Sequence, residues 1–98
     1  MTRAVVLRRA AQREFDASAL WYEERRIGLG AEFVAEIERA IALVAENPER
    51  FPIMHRDVRY VRARRFPYSV FFRIEPTRIV VLAVFHARRN PIIWQRRA

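Results

Sequence analysis

The sequence predicts an α+β fold of the order β-α-α-β-β-β, in which a helical hairpin packs on one face of a mostly antiparallel sheet. Apolar residues recur at helical spacing in the first half, whereas the second half alternates polar and apolar residues before a continuous apolar run. The only two glycines bracket one turn, and 98 residues suffice for a single domain over residues 1–98. Because the hairpin can cover only one face of the sheet, we expect the other face to be open.

The first half is predicted to form a short strand and two helices. The strand is the apolar run from Val5 to Leu7, and the first helix extends from about Ala10 to Arg26. Gly28-Leu29-Gly30 permits a tight reversal, after which the second helix extends from about Ala31 to Glu46. That helix ends at Asn47, because a residue that precedes proline disfavours the helical conformation.

The second half is predicted to form three strands and a basic tail. Val58 to Arg65 and Tyr68 to Glu75 alternate, which is typical of strands with one solvated face. Ile79 to Phe85 is continuously apolar and rich in β-branched residues, which indicates a central strand buried on both faces. Residues 88–98 add four arginines around Trp94.

Positive charge is concentrated in the second half of the chain. All 19 basic residues are arginines, and the net charge is +8. Residues 1–50 hold 8 arginines and 9 acids, whereas residues 51–98 hold 11 arginines and 2 acids. This asymmetry favours an anionic partner, either nucleic acid or an acidic protein; the alternative is a solvated basic face. The candidate contact residues are Arg59, Arg62, Arg64, Arg65, Arg88, Arg89 and Trp94.

Composition and spacing exclude several classes of site and indicate a cytoplasmic protein. The chain has no cysteine, and its longest apolar stretch, residues 79–87, is far shorter than the roughly 20 residues that span a bilayer. A glycine-rich phosphate loop is absent, since both glycines lie in one turn. His55, expected in a loop, and His86 lie on different elements, so neither a metal site nor a cofactor is expected.

One catalytic chemistry is compatible with the residues: cleavage of RNA without a metal. This reaction needs a base, an acid and cations beside the phosphate. His86 is the best candidate for the base or the acid, because it ends the central strand beside two arginines. The alternative is that His86 only caps the strand. Tyr68 is expected to pack against the sheet, and Trp21 to seal the edge of the core.

The order of the motifs resembles the RelE/ParE family of toxins from type II toxin–antitoxin modules. The helical half carries the resemblance in residues 19–23, in Gly28-Leu29-Gly30 and in Asn47-Pro48. The sheet half carries it in residues 65–72, in residues 81–86 and in Arg89-Asn90-Pro91 with Trp94. The match covers nearly the whole chain, and the layout of the family agrees with the fold predicted from periodicity.

The resemblance implies one of two activities. RelE-like members cut mRNA on the ribosome, and ParE-like members poison DNA gyrase. Under the nuclease alternative the catalytic residues are His86 and Arg65. However, Ser69 stands where the nuclease branch has an arginine, and no tyrosine follows Tyr68. This departure favours ParE-like action on gyrase by binding rather than by catalysis. A third alternative is a family member that binds its antitoxin and is not toxic.

The resemblance also implies a protein partner. Toxins of this family are held inactive by a cognate antitoxin, which usually has a flexible and often acidic C-terminal segment. The basic half of the chain would attract such a segment. We therefore expect a hetero-oligomer of toxin and antitoxin, with no membrane contact.

Overall fold

A helical hairpin packs on one face of a mixed sheet, which confirms the predicted α+β fold. The computed structural model describes residues 3–98. Within them the elements are β1 (Ala4–Leu7), α1 (Arg9–Arg25), α2 (Leu29–Glu46), a 3₁₀ turn (Pro48–Arg50), β2 (Ile53–His55), β3 (Val58–Arg62), β4 (Tyr68–Ile74), β5 (Arg78–His86) and α3 (Ile92–Gln95).

The long strand β5 lies inside the sheet, as its apolar run predicts. The strand order is β1-β5-β4-β3-β2; β1 is parallel to β5, and the other neighbours are antiparallel. Every residue of β5 from Ile79 to Phe85 is buried. β1 pairs only with Arg78 to Val81. Beyond Val81, one edge of β5 therefore has no neighbouring strand among the described residues.

The turn between α1 and α2 is built from two glycines and a glutamate. Gly28 has a φ of 90°, a conformation that favours glycine. A Cβ atom at position 30 would lie 2.6 Å from the carbonyl oxygen of Ala19, so the close approach of the helices requires glycine there. The Glu23 carboxylate accepts hydrogen bonds from the backbone N–H groups of Gly28 and Gly30, at 2.9 and 3.0 Å. The structure thus has the predicted tight reversal.

The sheet has an apolar core on each face. Phe33 and Ile37 of α2 belong to the core under the helices, together with Phe72 of β4. On the other face Trp94 of α3 stacks on Phe71, with ring centroids 3.9 Å apart. The C-terminal tail therefore covers part of the face that was expected to be open, and that expectation is wrong. A four-residue helix is too short for periodicity to reveal.

Two strand predictions also need correction. β2 occupies Ile53–His55, where a loop was expected, because a three-residue strand carries no readable alternation. β3 ends at Arg62, whereas the alternation predicted a strand up to Arg65. Arg65 has a φ of 68°, in the left-handed region, which is incompatible with extended pairing. Arg64 and Arg65 therefore lie in a loop.

Candidate functional site

A groove opens between α1 and the ends of β4 and β5. It consists of two adjoining cavities of about 410 and 240 Å³ that share five of their lining residues. Successive turns of α1 form one wall, and the last residues of β5 form the other. We call it the α1 groove; its lining residues are Arg13, Glu14, Ala17, Ser18, Trp21, Tyr22, Tyr68, Val84, His86 and Arg89.

The register of β4 and β5 places Tyr68 beside His86. The two residues are directly opposite partners, and their rings lie 5.1 Å apart in an edge-on arrangement. The Tyr68 hydroxyl donates a hydrogen bond of 2.9 Å to Oγ of Ser18 on α1. Burial, and then the proximity of Tyr68, raise the pKa of Tyr22 above the ordinary value of a phenol.

The His86 ring is oriented by the turn that follows β5. Its Nδ1 accepts a hydrogen bond of 3.0 Å from the backbone N–H of Arg88. An acceptor at Nδ1 carries no proton, so the neutral ring has its proton at Nε2. In this arrangement His86 can donate a hydrogen bond through Nε2, whereas accepting a proton there would require a change of tautomer.

Glu14 connects α1, the edge of β5 and the C-terminal tail. Its carboxylate accepts hydrogen bonds from Arg89 at 2.7 Å, from Arg97 at 2.9 Å and from the backbone N–H of Val84 at 3.1 Å. Arg97 also donates to the carbonyl oxygen of Leu82 at 3.0 Å. Two side chains thus satisfy two backbone groups of β5, the Val84 N–H and the Leu82 carbonyl, at the edge beyond β1.

Arg65 and His86, which were predicted as a catalytic pair, lie in different surroundings. Arg65 forms an ion pair with Glu32 at the start of α2, and Arg26 contacts the same carboxylate at 3.1 Å. The hydrogen bond from Arg65 is the main reason why the pKa of Glu32 lies below its ordinary value. The arginines that line the groove with His86 are Arg13 and Arg89; the sequence placed Arg89 beside His86 and among the contact residues.

The remaining predicted arginines are divided between structural and exposed positions. Arg59 donates hydrogen bonds to the carbonyl oxygens of Glu49 and Phe51, at 3.1 and 2.7 Å, and so ties β3 to the chain before β2. Arg62, Arg64 and Arg88 are exposed, and within residues 3–98 their side chains form no ion pair. The predicted basic set is therefore not one cluster.

The two tryptophans differ sharply in exposure. Trp94 is 2% exposed and lies in the core between α3 and the sheet, so its ring is not on the surface of the folded chain. Trp21 is 50% exposed, which corrects the expectation that it seals the core. The guanidinium of Arg25 lies 3.6 Å from the centroid of its ring. Periodicity did not distinguish them, because Trp21 lies one position off an apolar stripe and the four-residue α3 carries no readable period.

Sequence reasoning missed the roles of Glu14 and Arg97. The signal was available only in part: Glu14 is an acid on the buried side of a helix, which requires a partner. Its partners are far away in the sequence, and the register of the sheet decides which they are.

No group of three His, Asp or Glu residues that could hold a metal ion occurs within residues 3–98. None of the helices described is long and apolar enough to span a bilayer.

Comparison with known families decides the class of the protein. The family described as the ParE toxin of the type II toxin–antitoxin system parDE matches residues 5–91, which is most of the chain. The chain belongs to the ParE toxin family. This membership confirms the resemblance predicted from the motifs and makes the chain a type II toxin by family.

Solved structures of toxin–antitoxin systems share the fold. The chromosomal ParDE system from P. aeruginosa matches with a TM-score of 0.75 and 21% identity, over 89% of this chain and 98% of that one. The RelBE2 toxin–antitoxin complex from Mycobacterium tuberculosis matches with a TM-score of 0.62 and 22% identity, over 88% and 99%. No curated protein sequence matches significantly.

Proposed function

We propose that this ParE-family toxin inhibits growth by a ParE-like action on DNA gyrase, through binding rather than through catalysis of its own. Membership of the ParE family over residues 5–91 is the observation that carries the proposal. The cell compartment is the cytoplasm, where gyrase and its DNA lie.

The geometry of the α1 groove supports binding over catalysis. A nuclease needs uncompensated cations where charge develops on the phosphate. The predicted catalytic arginine, Arg65, is instead paired with Glu32 and does not line the α1 groove beside His86. His86 is held as a donor at Nε2, so it cannot act as a base there without a change of tautomer.

The exposed arginines supply the target contacts in this proposal. Arg62, Arg64 and Arg88 are solvated cations on loops and strand ends. Such groups attract an anionic surface at long range and remain free to pair with it. Arg59 and Trp94 are excluded from this set because the fold itself uses their side chains.

Purified gyrase tests the proposal. The chain should inhibit supercoiling and increase the amount of cleaved DNA bound to gyrase. The double variant Arg62→Glu with Arg64→Glu should inhibit at least 10-fold less. The double variant Arg9→Glu with Arg39→Glu changes the net charge equally from the helical side and should inhibit as the unmodified chain does. Equal loss in both variants would mean that total charge, and not this surface, is responsible.

An antitoxin is the regulatory partner in this proposal. Both structural relatives are described as toxin–antitoxin assemblies, and the basic half of this chain suits an acidic flexible segment. Co-expression with the protein encoded by the adjacent gene should restore growth and give a hetero-oligomer by light scattering. Restored growth without a complex would contradict direct binding.

One observation favours mRNA cleavage as a second candidate function. The C-terminal tyrosine of the nuclease branch is missing from the sequence, but the sheet brings Tyr68 to within 5.1 Å of His86, measured between ring centroids. A phenol from β4 could therefore serve as the acid. If this candidate is right, induced expression creates new mRNA ends inside reading frames, and both His86→Ala and Tyr68→Phe abolish them. Intact mRNA in arrested, filamentous cells supports gyrase.

A further inference from the structure

The α1 groove combines aromatic rings with hydrogen-bond donors. Four rings follow one another along it, those of Trp21, Tyr22, Tyr68 and His86, with centroids 5.1, 6.2 and 5.1 Å apart. Trp21, at the outer end, is half exposed although it is a large aromatic residue. A half-exposed indole at the mouth of a cavity offers a flat apolar surface to a planar ring.

The polar groups of the groove offer donors in particular. Ser18 accepts its hydrogen bond from Tyr68, so its own hydroxyl proton is free. His86 carries its ring proton at Nε2, because Nδ1 accepts from a backbone N–H group. Arg89 uses one nitrogen on Glu14, and a guanidinium has five N–H donors in all.

The carboxylate of the groove is already occupied. The single lining carboxylate, Glu14, is shared by two arginines and a backbone N–H group. Arg13 and Arg89 therefore leave the lining with an excess of positive charge over Glu14. A neutral apolar ligand would leave these donors unpaired, whereas an anion would satisfy them.

We propose that the α1 groove is a binding site for a nucleoside monophosphate. The base lies against Trp21, and the phosphate accepts hydrogen bonds from Arg89, Ser18 and Nε2 of His86. The larger cavity, about 410 Å³, is within the size range of small-molecule sites. The site does not depend on gyrase as the target, nor on any cleavage of nucleic acid.

Calorimetric titration with GMP and AMP tests the site directly. Saturable binding of one molecule per chain is expected for at least one of them. Guanosine or adenosine, which lack the phosphate, and ribose 5-phosphate, which lacks the base, should each bind at least 10-fold more weakly. The absence of saturable binding of GMP and AMP at millimolar concentration overturns the proposal, and so does equal binding of the nucleoside and its monophosphate.

Matched variants locate the ligand. Trp21→Ala should weaken binding about 10-fold or more, since stacking of one base on an aromatic side chain is typically lost at this cost. Leu20→Ala removes the exposed neighbour of Trp21 that does not line the groove, and should bind as the unmodified chain does. Arg89→Gln should weaken binding of the monophosphate, and Arg88→Gln should not. If Trp21→Ala and Leu20→Ala weaken binding equally, or if Arg89→Gln and Arg88→Gln do, the assignment of the ligand to the α1 groove is overturned.

Two further measurements complete the test. Ala17→Trp fills the groove from an exposed position of α1 and should abolish binding; it replaces Trp21→Ala if that variant does not fold.

Short single strands that carry a 5′-phosphate or a 5′-hydroxyl distinguish the source of the ligand. If the phosphorylated strand binds more tightly than GMP and AMP, the site is supported and its ligand is the end of a nucleic-acid strand. If GMP and AMP bind more tightly than the strand, the site is supported and its ligand is a free nucleotide. Equal binding of both strands, at least as tight as that of the nucleotides, overturns the phosphate contacts.

Discussion

The hairpin end of the molecule and its tail end carry the same residue types in opposite environments. At the hairpin end Trp21 is 50% exposed, and Glu32 pairs with arginine while 35% of its side chain remains exposed. At the tail end Trp94 is 2% exposed, and the Glu14 side chain is 11% exposed. The same residue types are therefore buried in the fold at the tail end and remain much more exposed at the hairpin end.

The tryptophans should show the largest contrast. Trp94→Ala removes a buried ring stacked on Phe71 and should lower the free energy of unfolding by about 3–5 kcal/mol. Trp21→Ala removes a half-exposed ring and should lower it by less than about 1 kcal/mol. Urea denaturation of both variants measures the difference. Equal losses would mean that the tail does not pack on the sheet in solution.

The glutamates should differ in the same direction. Glu14→Gln leaves Arg89 and Arg97 without a charged partner in a half-buried position, and should cost about 2–3 kcal/mol of unfolding free energy. Glu32→Gln acts on an exposed ion pair and should cost far less. The comparison fails if Glu32→Gln is the more destabilising variant in urea denaturation.

The two glycines of the hairpin turn should differ in how much their substitution by alanine lowers the free energy of unfolding. Gly30→Ala forces a Cβ atom against the Ala19 carbonyl oxygen and should cost about 2–3 kcal/mol. Gly28→Ala meets no atom within 4 Å, and only its positive φ opposes the substitution, so about 1 kcal/mol is expected. Thermal unfolding of the two variants checks the order, and a reversed order would mean that the helices do not cross at Gly30.

The smallest expected effect is the pH dependence at the hairpin end. Arg65, and then Arg26, hold the pKa of the Glu32 carboxyl below its ordinary value. The folded state therefore binds a proton there less readily than the unfolded state, so the stabilisation is present at neutral pH. This stabilisation is lost as the pH falls, first through the ordinary pKa of a glutamate and then through the lowered pKa of Glu32. The stability difference between the unmodified chain and Glu32→Gln should vanish in acid; a difference that grows would contradict the ion pair.

Periodicity predicted the parts of the fold that repeat along the chain. The helices α1 and α2 and the strand β5 were predictable because their apolar patterns extend over many residues. β2 and α3, with three and four residues, carry no such pattern.

The candidate site was predictable only where the pairing of strands was not needed. His86 was recognisable as the residue that ends a central strand. Its neighbour Tyr68 depends on the register of β4 with β5, and the orientation of Arg89 into the groove depends on the turn after β5; sequence patterns determine neither. Arg65 was assigned to the same site from the resemblance to the toxin family, whereas the loop after β3 places it beside Glu32.

The pairing of Glu14 with Arg97 has a consequence for self-association. An unpaired strand edge acts as a template on which another extended chain can grow, and this is a common route to aggregation. Here a carboxylate and a guanidinium occupy the hydrogen-bonding positions at Val84 and Leu82 that an added strand would use. Loss of either side chain should therefore make the protein prone to forming extended sheets between molecules, even in variants that still fold.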